Sequence, residues 1–248
     1  KLEDNGSSIG VEVIDLGAEG DTITGFAKLE VGVDTDDSGS NTFDSKLAYV
    51  GLDSNMGALS VGRQSHPFTD NIGGKTSIFN VYGGSSDWNY GSRSSNSMKF
   101  STTQSGLTLD TIGIVDGSST NTNAFDEFEV TISTKLLGSD ISVGYADDVN
   151  SDISYWGVSG STDLGPLTVS SSYTIYDAAT DKYGLEATAS YSIFSVGYGD
   201  KEGTGVSYTA GVSHDLNKSV SVYAEGEMKD LDSGSDTTSW SIGSKFTF

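Results

Sequence analysis

Apolar and polar residues alternate along most of this chain with a period of two, and no other feature constrains its fold as much. Successive side chains of a β-strand point to opposite faces, so the alternation is typical of strands that present one apolar face. About fifteen segments fit this pattern. Among the clearest are Ile9, Val11, Val13, Phe128, Val130, Ile132, Val206, Tyr208, Ala210 and Val212. The sequence therefore predicts an all-β protein.

The faces opposite these apolar positions carry mostly Ser, Thr and Gly, with sparse charges. In a soluble sandwich that face meets bulk water and usually carries many charged residues, whereas small polar side chains suit a water-filled lumen. A membrane strand shows lipid only every second side chain, so the lack of a long apolar run does not count against a transmembrane β-barrel. Aromatic residues at the ends of the apolar sets, such as Tyr145, Tyr198 and Tyr208, also favour the barrel, because such rings are favoured near lipid headgroups.

The connections between the predicted strands alternate between two kinds. Short ones, such as Gln104–Gly106, follow one end of the strands, and long acidic ones, such as Asp34–Ser45 and Asp230–Thr238, follow the other. This rhythm is typical of an antiparallel up-and-down barrel in a bilayer. By the same rhythm the first and last segments run in the same direction, so antiparallel closure needs one more strand. We expect sixteen strands in the intact barrel, with the first of them before Lys1.

One connection is much longer than the rest. The segment Ser65–Ser92 separates two predicted strands, whereas hairpin loops usually have about 2–5 residues. We therefore expect it to have a function of its own, namely to fold into the barrel and narrow it. Residues 1–248 are predicted to form a single transmembrane domain that includes this segment.

The charges and the missing residue types exclude several functions. A formal net charge of -22 argues against a nucleic-acid partner, because phosphates need a basic face. The absence of cysteine excludes disulfides, thiolate metal sites and cysteine nucleophiles. His66 and His214 lack the spacing of a catalytic or metal-binding site. Glu225 and Glu227 share a lumen-facing parity, and we interpret them as solvated interior charges rather than a catalytic pair. No enzyme activity is expected.

Several stretches resemble the bacterial general diffusion porins of Gram-negative outer membranes. Residues 1–17 (KLEDNGSSIGVEVIDLG) resemble the porin second strand, 46–64 (KLAYVGLDSNMGALSVGRQ) the hairpin before the constriction loop, and 93–109 the strand after it, while Phe248 matches the terminal aromatic residue. The resemblance implies a homotrimer of sixteen-stranded barrels in contact with outer-membrane lipid and lipopolysaccharide. It also implies a water-filled pore for passive diffusion of ions and small hydrophilic solutes.

In this family the inward loop carries acidic side chains opposite a basic cluster on the wall, and Arg63 and Arg93 match two of the wall arginines. Alternation alone turns Arg93 and Lys99 into the lumen, whereas an inward Arg63 requires a bulge near Gly62. Lys28 and Glu30 share one face of one strand, where they extend the wall or compensate each other. The predicted constriction comprises Arg63, Arg93, Lys99 and Lys28 on the basic wall, Asp70, Lys75 and Asp87 on the loop, and the lumen carboxylates Glu12 and Glu30.

Alternatives to a general diffusion pore stay open from the sequence. A substrate-specific channel, for example for a sugar, should carry aromatic residues along its lumen, and Tyr82, Trp88 and Tyr90 are the only cluster of that kind. A soluble or surface adhesive β-protein is the alternative of another class. For a pore, the acidic mouth predicts a mild cation preference. No cofactor is expected; the acidic loops are either simply solvated or hold Ca²⁺ loosely, at Asp34, Asp36 and Asp37.

Overall fold

The computed structural model describes residues 3–18, 20–36, 41–84, 86–89, 91–115, 125–149, 151–177 and 179–247. The strands of these residues are β1 Ser8–Leu16, β2 Ile23–Val33, β3 Phe43–Ser54, β4 Gly57–Ser65, β5 Arg93–Gln104, β6 Leu107–Ile114, β7 Glu127–Leu136, β8 Ser139–Asp148, β9 Ile153–Leu164, β10 Leu167–Asp177, β11 Lys182–Tyr191, β12 Phe194–Lys201, β13 Gly205–Asn217, β14 Val220–Leu231 and β15 Thr237–Phe246. A short helix α1, Pro67–Asn71, and a 3-10 turn, Gly73–Lys75, follow β4. In the described part of the chain, no helix is long and apolar enough to cross a membrane.

Every strand pairs with its neighbour in the sequence, and the described strands form a single antiparallel sheet in the order β1 to β15. This up-and-down order confirms the predicted architecture. Because each pairing reverses the strand direction, β1 and β15 run in the same direction, and they do not pair with each other among the described residues. A sixteenth strand stays a prediction.

The sheet has an exposed apolar face and a buried polar face, which is the reverse of the arrangement in a soluble protein. Large apolar side chains such as Val50, Val196 and Ile242 are more than half exposed, at 58%, 56% and 74%. Polar side chains on the other face are buried, including Thr131, Ser142 and Thr174, with at most 1% exposure. A continuous apolar outer face needs an apolar solvent, and a polar inner face needs water or polar partners. This distribution is that of a transmembrane barrel.

Pairs of aromatic rings lie near the strand ends that carry the long connections. Tyr145 lies 4.5 Å from Trp156 between ring centroids, and Tyr198 lies 5.6 Å from Tyr208. The rings of Trp156 and Tyr208 are about half exposed on the outer face. Phe248, the predicted terminal aromatic residue, lies outside the described residues.

Candidate pore constriction

The segment after β4 lies against the polar inner face of the sheet. It starts at His66, whose N–H donates to the carbonyl of Ser92, so the two ends of the segment meet at β4 and β5. Proline at the first position of α1 suits a helix start, since its missing N–H has no partner there in any helix. Phe68 and Ile72 of this part are buried, at 1% and 0% exposure. They pack with Ala146 and Tyr155 of the wall into a small apolar core.

Four buried glutamates of the wall hold the backbone of the segment. Glu129 accepts the N–H of Phe68 at 3.0 Å, and Glu186 accepts the N–H of Ser86 at 3.1 Å. These carboxylates are 2% and 3% exposed. Buried carboxylates require such donors, because an unpaired buried charge is costly. The wall glutamates are therefore anchors for the loop.

Glu225 makes the densest of these contacts. Its carboxylate accepts the backbone N–H of Asn80 at 2.7 Å, the side-chain amide of Asn80 at 2.8 Å and the N–H of Val81 at 2.9 Å. Glu227 accepts the N–H of Gly83 at 3.4 Å and pairs with Lys229 at 3.0 Å. Both glutamates are only 6% exposed. The interpretation of this pair as solvated interior charges is wrong, because the loop covers them and uses their oxygens.

Hydroxyl groups and glycines of the wall complete the docking surface. Thr174 accepts the N–H of Trp88 at 2.8 Å, and the hydroxyl of Ser159 donates to the carbonyl of Asn71 at 2.7 Å. At Gly184, an added Cβ would lie 2.1 Å from the carbonyl oxygen of Ser86. The sequence pattern predicts that the face of small polar residues is in contact with water. Part of that face is instead covered by the loop.

Two ion pairs lie on the side of the lumen that includes β1, β2 and β5. Lys99 on β5 faces Asp70 on the loop, with 3.9 Å between Nζ and Oδ2. Lys28 on β2 faces Glu12 on β1 at 3.7 Å, and the two residues are partners in the strand register. Glu30 is two residues along from Lys28 and has the same parity. Five of the predicted site residues therefore lie on this side of the lumen with partly exposed charged groups: Lys99, Asp70, Lys28, Glu12 and Glu30.

The two arginines occupy different positions from these lysines. Gly62 pairs with Ser97 and Gln64 with Ser94, so β5 has one extra residue, and Asn96 within this bulge has φ of 55°. The alternation that places Arg93 and Lys99 on one face in the sequence does not hold across the bulge, and the Arg93 side chain is exposed.

Arg63 keeps the parity of the outward Leu59 and Val61, while Ser60 and Gln64 on the opposite face are buried. Its guanidinium donates to the carbonyl of Ser45 at 3.0 Å and to the hydroxyl of Ser95 at 3.3 Å. The irregularity near Gly62 lies in β5, so it does not turn Arg63 inward. Among the described residues neither arginine forms an ion pair, and their place in the basic wall stays a prediction.

Asp87 lies on the side of the loop that faces the wall and is 5% exposed. The hydroxyl of Ser172 donates to both of its carboxylate oxygens, at 2.8 and 3.0 Å. Lys201 donates to the backbone carbonyl of Asp87 at 3.1 Å and lies 4.2 Å above the ring of Trp88. Of the two loop carboxylates, Asp70 is therefore the one that reaches the lumen, with a side chain that is 49% exposed.

Docking of the loop near Asp87 is expected to weaken as the pH rises. Burial first, and then the nearby Glu186 carboxylate, raise the pKa of Asp87 to about 6, although Ser172 and Lys201 oppose the shift. A carboxyl whose pKa is raised in the docked state favours docking when protonated, and this stabilisation is lost between about pH 4 and pH 6.

We expect loop amides to exchange with deuterium about tenfold faster at pH 8 than at pH 5, after correction for intrinsic rates. Asp87→Asn should remove most of this difference, whereas Asp163→Asn at the exposed end of β9 should keep it. An unchanged pH dependence in Asp87→Asn would contradict the assignment.

The described residues of the acidic long connections are not arranged to hold a metal ion. Asp36 donates its N–H to a carboxylate oxygen of Asp34 at 3.1 Å and accepts the N–H of Asp4 at 2.8 Å. Within the described ranges no group of three or more His, Asp or Glu residues is arranged to hold a metal ion. Asp37 lies outside those ranges, and loosely bound Ca²⁺ here stays a prediction.

Together these features define an up-and-down barrel that is apolar outside, polar inside and carries one loop on its inner wall, which is the architecture of an outer-membrane pore. The family model described as Gram-negative porin matches residues 3–234. The chain belongs to this family. It is thus an integral outer-membrane protein that forms a water-filled pore for passive diffusion of ions and small hydrophilic solutes, which confirms the predicted family. Membership indicates a channel rather than an enzyme.

Solved structures share the fold at low sequence identity. OmpF of Salmonella typhi, in complex with daunomycin, superposes with a TM-score of 0.76 at 16% identity over 96% of this chain and 89% of that chain. A loop-deletion variant of OmpT, an outer membrane protein of Vibrio cholerae, gives 0.73 at 16% identity over 98% and 99%. A substituted porin of Rh. blastica gives 0.67 at 18% identity over 97% and 89%. A comparison with curated protein sequences gives no match.

Proposed function

We propose that segment 65–92 is the constriction of a general diffusion pore and that solutes pass between this loop and the wall formed by β1 to β5. The supporting observation is that the loop is hydrogen-bonded to one part of the wall and not to another. Hydrogen bonds join the loop to β5, β6, β7, β9, β10, β11, β12 and β14, and among the described residues none joins it to β1, β2 or β3. The uncovered wall carries Lys28, Glu12 and Glu30, and Lys99 on β5 meets Asp70 of the loop.

The charges support a mild cation preference. At the constriction both lysines face a carboxylate, and among the described residues Glu30 forms no ion pair, so negative charge is in slight excess there. The long connections add many carboxylates at the mouth, and the chain as a whole has a formal net charge of -22. A cleft or mouth of one sign concentrates counter-ions without holding them tightly.

Reversal potentials in a KCl gradient across a planar bilayer test this preference. We expect K⁺ to be more permeant than Cl⁻, with a ratio that falls toward one at high salt because screening shortens the reach of the charges. Glu30→Gln should lower the ratio, whereas Asp215→Asn, near the short-turn end of β13, should change it less. A reversal potential of the sign for anion preference would overturn the proposal.

The aromatic residues of the loop weigh against a sugar-specific channel. Trp88 stacks on Tyr176 at 4.9 Å, donates through its indole N–H to the carbonyl of Tyr183 at 3.0 Å, and has Lys201 over its ring. The ring of Trp88 thus packs against residues of the wall and is not available to stack on a solute. Tyr90 lies outside the described residues. Current block by a sugar that saturates with concentration would favour the specific channel.

Homotrimer formation and contacts with lipid and lipopolysaccharide are also part of the proposal. The exposed apolar outer face supports a lipid environment. For the trimer, the support is that OmpT of Vibrio cholerae has been solved in a trimer form, with a TM-score of 0.72 to this chain at 17% identity. Cross-linking of the protein in detergent should give a species of three chains; a species of one chain alone would contradict the trimer.

A further inference from the structure

A single lysine of the loop, Lys75, stands apart from the other lumen cations. It is the only Lys or Arg between residues 65 and 92. Lys28, Lys99 and Lys135 each face a carboxylate within 4.0 Å, but Lys75 has no such partner among the described residues. Lys182, which also has no carboxylate within 4.0 Å among the described residues, lies instead over the ring of Trp88, 5.6 Å from its centroid.

Lys75 lines a polar cavity between the 3-10 turn and the strands β6, β7 and β8. The cavity has a volume of about 210 Å³, enough for roughly seven water molecules at about 30 Å³ each. Its wall is made largely of hydroxyl groups and a second lysine: Thr108, Ser133, Thr134, Ser142 and Lys135, together with Asp140. Ammonium and hydroxyl donors around a wet cavity are the groups that bind oxyanions.

The carboxylates close to this cavity have partners of their own. Asp140 faces Lys135 at 3.4 Å, and Asp110 on β6 accepts the side-chain amide of Asn71 at 3.0 Å. The hydroxyls of Ser133 and Ser142 share one hydrogen bond of 2.8 Å and keep further donor or acceptor capacity for a ligand. The residues that line the cavity carry two positive charges, on Lys75 and Lys135, and one negative charge, on Asp140, which leaves one positive charge in excess.

The lining residues also show at which end of the barrel the cavity lies. Gly106, Lys135 and Asp140 belong to or flank the short turns after β5 and β7, and short turns of outer-membrane barrels lie on the periplasmic side. We propose that Lys75, with the hydroxyls of β6 to β8, forms a weak subsite for small oxyanions, such as inorganic phosphate or a small carboxylate, beneath the constriction. This subsite rests on the proposed pore function: it holds anions briefly on the periplasmic side of a pore whose outer mouth favours cations.

Single-channel recording with phosphate tests the subsite. Phosphate added on the short-turn side should reduce the current in a concentration-dependent manner, and more strongly than the same addition on the other side. Lys75→Gln should raise the half-blocking phosphate concentration about fivefold, as expected for a partly exposed charge, and Lys75→Arg should keep it near the wild-type value. Lys218→Gln, at an exposed short turn, removes the same charge from the same end and should have little effect.

A second variant tests the hydroxyl groups without changing charge. Ser133→Ala combined with Ser142→Ala should weaken the block, and heat-modifiable migration will show that each variant has a folded barrel. Equal block from both sides, an unchanged block in Lys75→Gln, or an equal loss in Lys218→Gln would each overturn the subsite. An open channel without phosphate block rejects only the subsite, whereas a folded protein without conductance rejects the pore function itself.

Discussion

Replacing Glu225 with alanine is expected to detach the tip of the loop from the wall. The carboxylate accepts three hydrogen bonds of 2.7 to 2.9 Å from Asn80 and Val81, and it is 6% exposed. Hydrogen bonds to a charged group contribute about 1.5–3 kcal/mol each. Water in the lumen can reach the freed N–H groups and offsets part of this loss, so we expect a total of about 3 kcal/mol, or a population of detached loop that is roughly 150-fold larger.

Deuterium exchange at the Asn80 and Val81 amides measures this detachment directly, and single-channel records should show additional current fluctuations. Glu30→Ala is the matched control, because it removes a lumen carboxylate of the same type that forms no hydrogen bond or ion pair with the described residues of the loop. Equal exchange rates in Glu225→Ala and the wild type would show that the three hydrogen bonds do not hold the loop. An equal effect of Glu30→Ala would show that the change acts through lumen charge instead.

The strands were predictable from the sequence because alternation is a local signal. The alternating apolar residues Ile9, Val11 and Val13 lie in β1, and Phe128, Val130 and Ile132 lie in β7. Alternation also predicts correctly that Lys99 faces the lumen, since no irregularity of register lies between it and Ser97. Alternation with a period of two therefore predicts which face of the sheet a side chain occupies, wherever the strand register is regular.

Alternation fails at Arg93 because one inserted residue reverses the faces of a strand. The extra residue in β5 leaves little trace in the sequence Arg93–Phe100, apart from Asn96, a residue type that tolerates positive φ. Asp87 was misplaced for a different reason. Its burial depends on Ser172, which is 85 residues away in the sequence, and no local pattern records that contact.

The loop anchors were hidden because an anchor and a solvated lumen charge look alike in the sequence. Glu129, Glu186 and Glu225 lie at lumen parity among small polar residues, which is the pattern expected for a wall in contact with water. The loop residues that they bind are 61, 100 and 145 positions away. The available signal was the lumen-facing glycines close to them, since a glycine in a strand often marks close approach of another backbone.

Replacing Gly184 with alanine tests this role of glycine, with an expected loss of docking second only to that of Glu225→Ala. The new Cβ would lie 2.1 Å from the carbonyl oxygen of Ser86 and 2.9 Å from the hydroxyl of Thr174. A backbone atom cannot rotate away as a side-chain end can, so the loop must shift and strain its contact with Glu186.

Overpacking of this kind costs about 1–3 kcal/mol, and the direct clash with backbone places Gly184→Ala near the upper end, or roughly a hundredfold in the docking equilibrium. Exchange at the Ser86 and Trp88 amides should accelerate accordingly, while the Asn80 and Val81 amides stay protected because Glu225 holds them independently.

Gly160→Ala is the control, since its Cβ would lie at an ordinary 3.5 Å from the carbonyl of Asp140. Acceleration at all four amides would show that the loop detaches as one unit, and acceleration at none would show that the wall yields at β11 instead. The selective result is expected because the two anchors lie on different strands, β11 and β14, and share no hydrogen bond.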